Sequence, residues 1–130
     1  MSKLAESRNT PELHVGAVKY YYERTADEVI FAGSLVAQNA SGNAVAAKDA
    51  ANLVVLGRAE NIAAAGEKIV LKKGCFLYEN GTDGEALTSA DIGSDCYIVD
   101  DQTVGKIGGS NKIKAGKVID VTDDGVAVLI

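Results

Sequence analysis

From position 15 onward no apolar run in this chain lasts more than a few residues before Gly, Asn or Asp interrupts it, and the runs favour β-branched and aromatic side chains. Short runs of this kind, punctuated by residues that tolerate positive φ, are the pattern of all-β sandwiches and barrels. The spacing predicts strands over 17–23, 34–38, 44–47, 54–60, 68–78, 95–99, 103–106, 116–121 and 126–130. Only 47–52 and 87–92 read as helical. The second has Thr88 as N-cap and Gly93 at its end, room for a single turn. Asn39-Ala40-Ser41-Gly42-Asn43 and Asp123-Asp124-Gly125 each separate two apolar runs and should close hairpins. Residues 1–14 are polar, lack sustained periodicity and contain Pro11, the single proline; they read as an N-terminal arm ahead of one β domain, 15–130.

A chain of 130 residues buries roughly two-thirds of its unfolded surface, so a core is possible without disulfides. With 47% hydrophobic but only 5% aromatic residues, that core must consist mainly of Val, Ile, Leu and Ala. Cys75 and Cys96 sit in strand-like runs with no CxxC and no neighbouring His, which suggests a buried, reduced pair. Thirteen Lys plus Arg against eighteen Asp plus Glu give a net charge of −5. That sign opposes phosphate-backbone binding, so nucleic acid is not an expected partner. No run approaches the roughly 20 apolar residues of a membrane span, and the N-terminus has no apolar signal core, so no membrane association is expected.

Reactive chemistry is hard to assemble from these residues. Asp100 and Asp101 are adjacent; on a strand they would point to opposite faces, so a turn whose carboxylates bond nearby amides is the better reading. His14 is the single histidine and lies where arm meets domain, without the partners a catalytic base needs. The segment 105–112 lacks the P-loop pattern and reads as an exposed loop, while Asn80 to Glu85 lacks the alternating acids of an EF-hand. No catalytic residue, metal site or cofactor is expected. Tyr20, Tyr21 and Tyr22 place amphipathic rings on both sides of a strand, either core packing or a subunit or partner contact with Glu23 and Arg24 at its rim. The arm, with Leu4, Arg8 and Leu13, is too poor in apolar groups to fold alone; it either frays or adds an edge strand to a neighbour.

The order of segments carries a resemblance. The hairpin SLVAQNASGNAVAA is followed by VVLGRAEN, IVLKKGCFLYEN, LTSADIGSDCYIVDDQTV and AGKVIDVTDDGVAVLI. Together they resemble the head-decoration, or capsid cement, proteins of tailed bacteriophages. The most telling pieces are Val55-Leu56-Gly57-Arg58-Ala59-Glu60, Ala90-Asp91-Ile92-Gly93 leading into Cys96-Tyr97-Ile98-Val99-Asp100-Asp101, and Ala115-Gly116-Lys117-Val118. The resemblance spans 15–130 and implies a small β-barrel or β-tulip-like sandwich with an extended N-terminal arm. It implies a non-enzymatic structural protein of the virion, made in the bacterial host cytoplasm. Its place would be the outer surface of the capsid, its partner the major capsid protein, its role head stabilisation, and its state a homo-oligomer with a trimer favoured. Leu4, Arg8, Leu13, His14, Tyr20, Tyr21, Tyr22 and Arg24 are the candidate capsid or subunit contacts.

Two other classes compete. A carrier-type barrel-sandwich module would display one lysine on a tight hairpin, and Gly66-Glu67-Lys68 and Lys72-Lys73-Gly74 lie near expected turns without its characteristic setting. A small metal-dependent hydrolase would use Asp49, Asp100 or Asp101.

Overall fold

The computed structural model describes residues 3, 5–9 and 21–130, and of Tyr21 and Tyr22 the backbone alone. The fold is all-β. Five strands form one sheet: β1 (Tyr21–Thr25), β2 (Leu35–Gln38), β3 (Ala44–Ala46), β4 (Val54–Ala59) and β5 (Lys68–Lys72), in the order β1-β5-β4-β2-β3. Five more close a barrel: β6 (Cys75–Asn80), β7 (Asp95–Ile98), β8 (Thr103–Gly105), β9 (Lys114–Thr122) and β10 (Gly125–Leu129), in the order β10-β6-β8-β7-β9. Pairing is antiparallel except between β6 and β8. The first sheet curls until its two edges meet, where Ala26 bridges Ala44 and the Asp27 amide donates to the Ala44 carbonyl at 2.9 Å.

Local chemistry accounts for the turns. The β2–β3 hairpin is shaped by Asn39, whose Oδ1 accepts the amides of Ser41 and Asn43, both at 3.1 Å. The β9–β10 hairpin turns on Asp123 and Asp124, while Gly125 already pairs with Thr122 in the ladder. Thr88 caps the 3-10 turn Ser89–Asp91 through a reciprocal box with Asp91, satisfying donors that a helix start leaves open. Gly93 follows at φ 91, a left-handed conformation open to glycine.

Three sequence expectations need correction. The run 68–78 is two strands in two different sheets, because the inward positions are Ile69 and Leu71 before Lys73-Gly74 and Tyr78 after it. That change of parity cannot occur within one continuous strand. The 47–52 stretch forms no helix; Ala47 is buried and its amide donates to the Leu35 carbonyl at 2.8 Å, a sheet-like commitment. Cys96 is buried as expected, but Cys75 is exposed, since it opens β6 on the outward side of the alternation.

Two cores result. Ile30, Val36, Leu56, Ile69 and Leu71 fill the curled sheet, and Ile98, Val104, Val118, Val126 and Val128 fill the barrel. Leu35 and Ala47 belong to the barrel's cluster although they come from the β2–β3 region. β2 is therefore buried on both faces, Leu35 toward the barrel and Val36 into the sheet. The Leu35 amide donates to the Asp101 carbonyl at 2.8 Å. Across the same seam the Arg58 guanidinium lies 4.1 Å from the centre of the Phe76 ring, a contact of cation–π type.

Candidate interaction surfaces

Two of the acidic residues singled out in the sequence, Asp49 and Asp100, are occupied by the backbone. Asp100 accepts the Gln102 amide at 3.0 Å, the turn expected for this pair. Asp49, from the β3–β4 connection, accepts the amides of Ser110 (3.0 Å) and Asn111 (2.9 Å) and the Asn111 side-chain amide (2.9 Å). Those bonds, Ser110's first, hold its carboxyl below the usual carboxylate range. Glu85 accepts the amides of Ile107 (2.7 Å), Gly108 (2.9 and 3.0 Å) and Gly109 (3.0 Å). Desolvation pushes its pKa up, but the three amides outweigh that and the net direction is down.

The 105–112 segment is thus tied at both halves by two carboxylates, with Gly105 and Gly108 buried. The loop is largely exposed, as expected, at Lys106, Ile107 and Gly109 to Lys112; consecutive amides turned the same way make a concave anion site, and here the protein's own acids fill it. The Asn80 side chain is likewise committed, bonding the amide and carbonyl of Leu87 at 2.9 and 2.8 Å. Among the described residues no three His, Cys, Asp or Glu side chains gather in a metal-binding arrangement. Of the carrier-type lysines, Lys68 donates to the Thr25 hydroxyl at 3.2 Å and Lys73 is half-buried at the sheet-to-barrel crossing.

The contact residues expected from sequence fare unevenly. Leu4, Leu13, His14 and Tyr20 lie outside the described residues, as do the side chains of Tyr21 and Tyr22. Tyr21 and Tyr22 pair through the backbone with Lys72 and Leu71 in β1, which runs on past the expected end at Glu23 to Thr25, while 17–20 of the expected strand lie outside the described residues. Arg24 donates to Gln38 Oε1 at 3.1 Å and to the Glu23 carbonyl at 3.0 Å, so it braces the curl of the sheet. Arg8 is exposed.

Two apolar surfaces emerge that the sequence did not reveal. Ile30 and Ala63 exchange backbone hydrogen bonds at 2.9 and 3.0 Å and are both buried. The residues beside them in register, Phe31 and Ile62, consequently face outward at 60% and 61% exposure, with Val29 close behind at 51%. Phe31 also borders an open depression with Asp101 and Gln102. The second surface is a groove along the seam of sheet and barrel, lined by Val54, Val55, Ile113 and Leu129 and flanked by Lys73 and Lys117.

Comparisons with protein-family models, with characterised proteins and with solved structures yield no match for this chain.

Proposed function

We propose that this chain is a capsid decoration, or cement, protein of a tailed bacteriophage. In this reading it is non-enzymatic, binds the outer surface of the assembled head and stabilises contacts between major capsid protein subunits. It acts as a homo-oligomer, with a trimer favoured. One observation carries the reading: large apolar side chains stand exposed on two separate faces of a small all-β body, Phe31 and Ile62 on one and Val54 and Leu129 on the other. Exposed apolar clusters of this kind mark interaction sites, and they suit a protein that works by adhesive area. The segment order that resembles the cement family supports it, and the net charge of −5 suits a position facing away from packaged DNA.

The energetics fit such a role. A protein that binds only the assembled shell stabilises it by about 3 kcal/mol per site at a hundred times Kd, multiplied over every occupied position. The test is co-sedimentation of the purified chain with expanded, undecorated heads, followed by heating, chelation or osmotic shock. Decorated heads should survive conditions that burst bare ones. Absence of binding at micromolar concentration would refute the reading.

A further inference from the structure

The two apolar surfaces differ in charge, and the difference makes them complementary to each other. Lys73 and Lys117 flank the seam groove, and neither makes an ion pair or side-chain hydrogen bond with a described residue. Lys114, in the same wall, is held by Asp95 at 3.3 Å. The opposite arrangement surrounds Phe31: Asp101 borders its depression with a carboxylate that has no partner among the described residues, and Asp100 beside it is exposed. An exposed apolar residue flanked by acid and an apolar groove flanked by base therefore occur on one chain.

They also occur where one copy can offer both at once. Leu35, at the start of β2, is bonded to Asp101, on the side of the Phe31 surface; Gln38, at the end of β2, pairs with Val54 in the wall of the groove. The strand separates them.

We propose that the seam groove receives the Phe31 surface of a second copy of this chain. The contact is heterologous, with Phe31 and Ile62 packing on Val54 and Leu129 while Asp101 faces Lys73 and Lys117. Such contacts repeat from subunit to subunit and generate a ring where the rotation closes. The inference rests on the homo-oligomeric part of the function proposed above and identifies the surfaces that would build the oligomer.

Sedimentation of the full chain in the absence of heads tests it. The wild type should self-associate with rising concentration. Phe31→Asp and Val54→Asp should each weaken association by roughly thirtyfold, as expected for a central apolar contact, with circular dichroism unchanged because both side chains are exposed. Ile62→Asp serves if Phe31→Asp fails to fold. A heterologous contact makes a further demand: Phe31→Asp keeps its groove and Val54→Asp keeps its Phe31 surface, so an equimolar mixture should form a heterodimer and grow no further. Lys117→Glu and Asp101→Lys should each weaken association and together restore it. A wild type that stays monomeric at high micromolar concentration, variants that associate like the wild type, or a mixture that stays monomeric would each overturn the proposal. Head binding is measured separately, so its failure is distinguishable from failure of self-association.

Discussion

The barrel and the curled sheet solve the problem of strand edges differently. In the barrel every strand has two neighbours, with β9 and β10 completing the ring, and closure removes the edges altogether. Among the described residues the curled sheet leaves β1 and β3 as edges, joined by a bridge between Ala26 and Ala44, and covers its core with the connections through Ile30 and Ala63. Covering a core with a connection instead of a strand has a consequence. The connection must bury Ile30 while its alternate residues face out, and that is how Phe31 and Ile62 come to the surface.

The comparison breaks most easily at the cores. Ile98 in the barrel and Ile69 in the sheet are both fully buried, and replacing either by Ala should cost about 2–5 kcal/mol. Because Leu35 and Ala47 pack into the barrel's cluster from the sheet's side, the two lobes should unfold together. Ile69→Ala should then move the whole urea transition, followed in parallel by circular dichroism and tyrosine fluorescence. Two separated transitions, with only one displaced, would show the lobes to be independent.

Most of the strand pattern was legible in the sequence, since short β-branched runs between turn residues determine it. What escaped was where strands change partner. In IVLKKGCFLYEN, Val70 and Leu77 are apolar although neither is fully buried, which hides the parity change at Lys73-Gly74. The surfaces were less legible than the fold. Val29-Ile30-Phe31 is three apolar residues with no visible period, and nothing local says that only the middle one is buried. The roles of Asp49 and Glu85 depend on amides about 61 and 22 residues away, a pairing that only the folded topology defines.

A smaller effect sharpens the comparison at the loop that ties the lobes. Asp49 reaches from the sheet's β3–β4 connection to Ser110 and Asn111, and Glu85 holds Ile107 to Gly109 from within the barrel. Both carboxyls lie below their ordinary values in the fold. Their contribution is therefore fully present above the unfolded pKa values, about 4, and is lost as pH falls through the lower folded ones. At neutral pH the amides of Ile107, Gly108 and Gly109 should be protected from hydrogen exchange. Glu85→Ala should make them exchange roughly tenfold faster, and should remove the acid-dependent loss of protection seen in the wild type. Unchanged protection would mean that these amides are held by something other than the Glu85 carboxylate.

The smallest effect distinguishes inside from outside within the barrel wall itself. Cys75 opens β6 on its outer side, whereas Cys96 is fully buried in β7, where desolvation pushes its thiol up to about 11. The thiolate is the reactive species, so exposure and ionisation act in the same direction. A thiol reagent at mildly alkaline pH should modify Cys75 promptly in the native protein and reach Cys96 only after denaturant is added. Cys75→Ser should remove the fast phase and leave stability within about 0.5 kcal/mol of the wild type. Two thiols reacting at one common rate would mean that the barrel opens as readily as its surface is touched, and that its closure gives it no advantage over the curled sheet.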